Sequence, residues 1–131
     1  MATSYYRNKP SDTSSICVQT NTARSTGISK LDIITYTGLD SDNQSVQLTA
    51  KITGLKTNEK ESASYYFTGA FRRSKGIITQ IDSTLMIAQS VDTSSWSATF
   101  VVKGTNILIQ VAGDKASIID WRAVLESVKN V

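Results

Sequence analysis

The strongest constraint on the fold is the two-residue alternation of apolar and polar side chains in the run VQLTAKITGL. Val46, Leu48, Ala50 and Ile52 alternate with polar residues in this run. In an extended chain, residues two apart lie on the same side, so the four apolar side chains would share one face. The run therefore predicts a β-strand with one buried face and one solvated face.

Seven strand-like runs are separated by turn sequences along the chain. The runs are LDIITYTG, VQLTAKITGL, ASYYFTGAFRR, IITQIDSTLMIAQ, WSATFVV, ILIQV and SIIDWRAVLESVKNV. Short strands with regular turn signals are typical of two packed antiparallel sheets. The sequence therefore predicts an all-β antiparallel sandwich, jelly-roll-like or Ig-like, of about seven strands.

The last run fits two secondary structures. Ile119, Trp121 and Ala123 alternate as they would in a strand, whereas Trp121, Val124 and Val128 also fit one face of a helix. Ala, Leu and Glu in this run favour a helix. We favour a strand, because a seventh antiparallel strand would complete two sheets.

The first 30 residues differ from the rest of the chain in pattern and in charge. They are polar and show neither a strand nor a helix period. Their charged residues are Arg7, Lys9, Arg24 and Lys30 against Asp12, which gives +3, whereas residues 31–131 have ten basic and ten acidic residues. We therefore expect residues 1–30 to form an extended, basic N-terminal arm and residues 31–131 to form the sandwich domain.

The arm is expected to be flexible in the isolated protein and ordered only on an acidic partner surface. The alternative is a solvated, disordered leader. The residues expected to contact a partner are Tyr5, Tyr6, Arg7, Lys9 and Arg24.

Residue types that commonly perform catalysis or bind metals are scarce. Histidine is absent and Cys17 is the single cysteine, so a structural zinc site lacks its ligands. Asp40 and Asp42 lie in a turn sequence that lacks the glycine and glutamate of a calcium loop. No phosphate-binding glycine motif is present. These observations predict no cofactor, no metal and no enzymatic activity.

Two groups of side chains are candidates for binding. Arg72, Arg73 and Lys75 lie at a predicted hairpin turn, where they could contact anionic groups or form a solvated turn that protects a sheet edge. A second group contains the aromatic residues Tyr65, Tyr66, Phe67 and Phe71, which could form a platform for sugars or bases. Since consecutive strand residues point to opposite faces, one set of these rings is expected in the core. Trp96 and Trp121 are expected to fill the centre of the sandwich.

Three segments together resemble a β-sandwich domain of tailed-phage virion proteins. They are YYFTGAFRRSKGIITQI, SSWSATFVVKGTNILIQVAGD and IIDWRAVLE, and the resemblance covers roughly residues 45–128. Domains of this family are found in capsid decoration or cement proteins, head fibres and tail fibres. The resemblance implies a structural or adhesive role and brings no catalytic residues with it.

A small domain preceded by an arm predicts a capsid cement protein. In this hypothesis the arm binds the major capsid protein, and the protein forms a trimer or dimer on the capsid surface of the virion. The alternative is a tail-fibre or head-fibre adhesin that binds host-surface carbohydrate. The first residues lack a signal peptide and no run approaches the roughly 18 apolar residues of a membrane span, so synthesis in the host cytoplasm is expected. No membrane or nucleic-acid partner is expected.

Overall fold

The secondary structure consists of antiparallel β-strands throughout the residues that the computed structural model describes, which are 16–57, 61–92, 95–115 and 117–130. The strands in these ranges are β1 (Ile16–Thr26), β2 (Leu31–Tyr36), β3 (Gln44–Lys56), β4 (Ser62–Ser74), β5 (Ile77–Gln80), β6 (Leu85–Val91), β7 (Ser97–Lys103), β8 (Asn106–Ala112) and β9 (Ile118–Asn130). No helix in these ranges is long and apolar enough to cross a membrane.

The strands form two sheets, which confirms the predicted all-β sandwich. The large sheet has the order β1-β9-β3-β4, and both β5 and β6 pair with the outer edge of β4. The small sheet has the order β2-β8-β7. The C-terminal segment is a strand, as favoured from its sequence. The described ranges contain nine strands instead of about seven, because IITQIDSTLMIAQ contains both β5 and β6, and because β1 lies in the segment expected to be an arm.

The core lies between the inner faces of the two sheets. Phe100 of the small sheet packs edge-to-face on two rings of β4, with its ring centroid 4.8 Å from that of Phe67 and 5.4 Å from that of Phe71. Trp96 and Trp121 are also buried, and their ring centroids are 5.9 Å apart. The predicted core positions of both tryptophans are confirmed, and edge-to-face pairs of this kind stabilise a core beyond the area that they bury.

Strand β1 corrects the predicted boundary of the arm. All 11 of its residues pair with β9, so residues 16–26 belong to the large sheet. Their inner side chains include Gln19, Asn21 and Ser25, each of which forms a hydrogen bond within the fold. The side-chain amides of Gln19 and Asn21 donate to backbone carbonyls of β2, and the Ser25 hydroxyl accepts a hydrogen bond from the Trp121 indole. A strand whose inner face is polar shows no apolar alternation, which is why its sequence resembled an arm.

Candidate functional site

The large sheet has one face that the small sheet does not cover. The small sheet covers only the inner face of β3, β4 and β9, and the alternate residues of these strands point away from the core. The outward residues at the centre of this face are Thr49, Lys51 and Thr53 on β3, Ser64, Tyr66 and Thr68 on β4, and Arg122, Val124 and Glu126 on β9. We refer to this surface as the outer face.

A groove of about 380 Å³ runs across the outer face beside Tyr66. Two rows of the sheet register build it. In the first row, Lys51 lies between Tyr66 and Val124. In the second row, Thr53 lies between Ser64 and Arg122. We call it the Tyr66 groove. Its residues are Lys51, Ile52, Thr53, Ser64, Tyr65, Tyr66, Ala88, Arg122 and Val124.

The Tyr66 groove combines an aromatic ring with two cationic side chains. The Lys51 ammonium lies 5.1 Å from the centroid of the Tyr66 ring, within the range of a cation–π contact. Neither Lys51 nor Arg122 forms an ion pair with a carboxylate in the part of the chain that the structure describes. Glu126 lines an adjoining depression that shares Lys51 and Tyr66. The groove therefore offers an aromatic surface and two hydrogen-bond-donating cations, and the adjoining depression adds one accepting carboxylate.

The aromatic run of β4 is divided between the two faces, as its alternation predicted. Tyr65, Phe67 and Phe71 are buried in the core, and Tyr66 alone of the four rings lies on the outer face. Burial raises the pKa of Tyr65 to about 12. The aromatic platform for a ligand is therefore a single tyrosine ring. Its neighbours in the sheet form the rest of the groove.

The predicted basic turn is a tight hairpin turn in which one arginine has a structural role. Lys75 and Gly76 both have positive φ, 53° and 76°, as the mirror-image hairpin turns require. The Arg73 guanidinium donates to the Leu39 carbonyl oxygen at 3.0 Å and to Asp42 at 3.3 Å. The same Asp42 carboxylate accepts the Gly76 backbone N–H at 2.8 Å. Arg73 therefore braces the turn.

The other two residues of the basic turn, Arg72 and Lys75, are solvent-exposed. Their proposed contact with anionic groups stays a prediction. No group of carboxylates that could hold a metal ion is present in the described ranges.

Of the five candidate partner residues of the arm, Arg24 alone lies in the described part of the chain. Arg24 lies on β1 and forms a two-pronged ion pair with Asp120 of β9, at 2.7 Å and 3.2 Å. Its hydrogen bond to Asp120 raises the pKa of Arg24, and the same bond lowers the pKa of Asp120. Tyr5, Tyr6, Arg7 and Lys9 lie outside the described residues, so their role stays a prediction.

Sequence reasoning did not identify Lys51, Arg122 and Glu126 as site residues. The alternation in VQLTAKITGL did place Lys51 on the solvated face of its strand. Arg122 and Glu126 gave no comparable signal, because the sequence does not show that β9 lies beside β3. Unless β3 is known to lie beside it, a single exposed arginine on a strand does not indicate a binding site.

No family model and no curated protein matches the sequence. Among solved structures, the tailspike protein of Acinetobacter baumannii phage AM24 is similar over 83% of this chain and 26% of its own, with 11% identity and a TM-score of 0.50. The tailspike gp49 of A. baumannii bacteriophage Fri1, a capsular polysaccharide depolymerase, matches over 95% of this chain and 20% of its own, with 10% identity and a TM-score of 0.43. The tailspike of Acinetobacter phage vB_ApiP_P1 matches over 95% and 23%, with 14% identity and a TM-score of 0.44.

This chain thus spans about a quarter of the length of the AM24 tailspike chain that it matches. The likeness confirms the resemblance to phage virion proteins at the level of the fold, and it does not extend to the capsid cement type. Shared fold at such identities does not assign a function, which has to be argued from the site.

The prediction that excluded an enzyme is corrected by these comparisons. The Fri1 tailspike, which this chain matches over 20% of that protein's length, is a capsular polysaccharide depolymerase. The prediction relied on the lack of histidine and of a catalytic motif in 131 residues. That reasoning was wrong, because a domain without catalytic residues can belong to a protein that is an enzyme.

Proposed function

We propose that this chain is a structural domain of a phage tail protein, of the tailspike or tail-fibre kind, that binds host-surface carbohydrate in the Tyr66 groove. The observation that carries the proposal is the open outer face, on which an aromatic ring and two cations without carboxylate partners line one groove. The fold shared with part of the AM24 tailspike supports the tail location.

The groove suits a sugar ring for chemical reasons. One side of a pyranose is a row of C–H groups that packs on an aromatic ring such as Tyr66, while the hydroxyls at its rim need hydrogen-bond partners. The Lys51 and Arg122 side chains can donate to these hydroxyls and to a sugar carboxylate, and Glu126 can accept from hydroxyls. Since both cations lack a carboxylate partner in the described ranges, saccharides with acidic groups fit the groove best.

The capsid cement hypothesis loses its main argument in the structure. It required a basic arm, but residues 16–26 form β1 and the Arg24 charge is already paired with Asp120. Residues 1–15 retain Arg7 and Lys9 against Asp12, which is a net charge of only +1. No observation supports binding to the major capsid protein, so the tail assignment replaces the capsid surface in the proposal. Synthesis in the host cytoplasm and assembly into a homo-oligomer of the virion remain parts of it.

A glycan-binding measurement tests the proposal. We would screen acidic and neutral bacterial surface oligosaccharides and determine affinities for Tyr66→Ala and Arg122→Ala by calorimetry. Each variant should bind an acidic glycan about tenfold more weakly or worse, because it removes the ring contact or one charged hydrogen bond. Arg72→Ala is the matched control, since it removes an exposed arginine of the large sheet that lies outside the groove.

Two results would contradict the proposal. One is the absence of glycan binding across the screen together with full-strength co-sedimentation with empty capsids. The other is a glycan affinity that Arg72→Ala reduces and Arg122→Ala leaves unchanged, which would move the binding site to the hairpin turn.

A further inference from the structure

A small depression of about 120 Å³ opens beside the Tyr66 groove on the outer face. It is lined by Thr49, Lys51, Tyr66, Val124 and Glu126, and we call it the Glu126 depression. Lys51, Tyr66 and Val124 also line the groove, so a ligand in the groove can extend a substituent into the depression. Thr49, Tyr66 and Val124 are half-buried, whereas Lys51 and Glu126 are exposed. The depression therefore has a partly apolar floor and a rim with two opposite charges.

The sheet register places the two charges at opposite corners of the depression. Thr49 lies opposite Glu126, and Lys51 lies opposite Val124. Lys51 and Glu126 are thus diagonal neighbours on adjacent strands, and Cα atoms in such positions are about 7–8 Å apart. No ion pair joins the two side chains in the described ranges. A group that enters between them meets a hydrogen-bond donor on one side and an acceptor on the other.

The two charges disfavour a charged substituent in this position. A carboxylate would lie beside Glu126 and an ammonium group would lie beside Lys51, so each would meet a like charge. A hydroxyl is neutral, but one water molecule takes up about 30 Å³ in the liquid, so a hydroxyl would leave most of the depression unfilled. The group that fits best is neutral, is larger than a hydroxyl, and has a donor, an acceptor and an apolar part.

An acetamido group has all of these properties. Its amide is planar and trans, so the N–H and the C=O point in opposite directions. The N–H can donate to the Glu126 carboxylate while the carbonyl oxygen accepts from the Lys51 ammonium. The methyl group then packs on the half-buried side chains of Val124 and Tyr66.

We infer that the Glu126 depression binds the acetamido group of an N-acetylated sugar. The inference rests on the proposed binding of carbohydrate in the Tyr66 groove, and it adds the substituent that the sugar carries. Arg122 lies four residues from Glu126 on β9, which is about 13 Å along a strand. An acidic group beside Arg122 and an acetamido group beside Glu126 therefore belong to neighbouring units of one oligosaccharide.

Calorimetry with matched pairs of glycans tests this inference. The two members of each pair differ only in carrying an acetamido group or a hydroxyl at one carbon, as do oligosaccharides of glucuronic acid with N-acetylglucosamine or with glucose. In the pair that binds most tightly, the wild-type chain should bind the N-acetylated member at least about tenfold more tightly. The reason is that the hydroxyl member lacks the amide that bonds to both charged side chains.

Glu126→Ala should weaken binding of the N-acetylated member about tenfold and of the hydroxyl member less than about threefold, because it removes the acceptor for the amide N–H. Its urea midpoint should match that of the wild type, since Glu126 is exposed. The matched control is Asp32→Ala, which removes an exposed carboxylate of the small sheet and should change neither affinity.

Three results would overturn the inference alone. They are equal affinities of the wild-type chain for the two members, an equal loss for both members in Glu126→Ala, and a loss in Asp32→Ala as large as that in Glu126→Ala. In each case the Tyr66 groove stays the binding site if Arg122→Ala still weakens binding. A chain that binds neither member of any pair and no other glycan would contradict both the inference and the proposed function, so the two failures are distinguishable.

Discussion

Gly54 on β3 lies directly against the Trp121 indole in the core, and this contact makes a sharp prediction for Gly54→Ala. A Cβ atom added at Gly54 would lie 2.7 Å from Trp121 Cζ3, 2.8 Å from Trp121 Cε3 and 3.2 Å from Ile119 Cγ2. Carbon atoms do not approach one another so closely without displacement. The indole has little freedom to move, since its Nε1 donates to the Ser25 hydroxyl at 2.8 Å and its ring packs on Trp96.

Two opposing effects decide the free energy of unfolding of Gly54→Ala. Alanine in a strand interior is favoured over glycine by about 0.5–1 kcal/mol, because glycine loses more conformational entropy on folding. Overpacking a closely packed core costs about 1–3 kcal/mol. Since the nearest contact is with a ring held in place by a hydrogen bond, we expect overpacking to dominate. The net result should be destabilisation by about 1–2 kcal/mol.

Urea unfolding followed by far-ultraviolet circular dichroism measures this change, and a double-mutant cycle identifies its cause. Trp121→Leu removes the two indole carbons that the added Cβ would meet, so Gly54→Ala should be neutral or stabilising in that background. Gly69→Ala is the control, because its Cβ would lie at the less severe distance of 3.1 Å from Phe100 Cδ2. If Gly54→Ala stabilised the wild-type chain, or destabilised both backgrounds equally, the proposed contact with Trp121 would be refuted.

Two further predictions concern titratable groups. The Tyr65 hydroxyl is buried and has no hydrogen-bond partner in the described ranges. Tyr65→Phe should therefore leave the free energy of unfolding unchanged or raise it by about 1 kcal/mol. Urea titration at pH 8 measures this change. The pKa of Tyr65 rises from 10.0 to about 12 on folding, so the unfolded chain loses this proton at a lower pH than the folded chain does. The free energy of unfolding should therefore decrease between pH 10 and 12. Tyr65→Phe should abolish the part of this decrease that is due to Tyr65. Asp120→Asn breaks the Arg24 pair, yet it should shift the urea midpoint at pH 7 no more than Asp32→Asn does, because both partners are exposed. Since Arg24 lowers the pKa of Asp120, the small contribution of that pair to stability should be lost as the pH falls below 3.8. A urea midpoint at pH 7 that Asp120→Asn shifts more than Asp32→Asn does would contradict the prediction for the pair.

The parts of the fold that the sequence predicted are those in which local pattern and tertiary environment agree. Val46, Leu48, Ala50 and Ile52 alternate in the sequence and are all buried, because the inner face of β3 packs on the small sheet. The turn before Gly76 could be predicted because glycine tolerates the positive φ that a tight hairpin turn requires. In such segments, short-range chemistry is sufficient to determine the structure.

Strands β1 and β6 show where this agreement ends. The inner face of β1 is largely polar, and Gln19, Asn21 and Ser25 form hydrogen bonds to β2 and to Trp121 that only the tertiary structure provides. In β6 the residues Leu85, Met86 and Ile87 were expected to continue one strand with Ile77 and Ile78, but they form a separate, exposed strand. Apolar residues in an extended run predict a strand, and they do not reveal whether the chain's own core or another molecule covers it.

The Tyr66 groove is a consequence of register, and this explains why no local pattern indicated it. Tyr66 and Arg122 are 56 residues apart in the sequence, and β3 lies between their strands. Lys51 must lie opposite Tyr66, and Thr53 must lie opposite Arg122. The groove therefore forms only when the register of β3 with β4 and the register of β3 with β9 are both kept. A slip of β9 by one residue would turn Arg122 into the core and Trp121 out to solvent. Burial of Trp121, one of the largest fully buried side chains, therefore fixes the position of Arg122 on the outer face, so a core residue of β9 also determines the geometry of the candidate binding site.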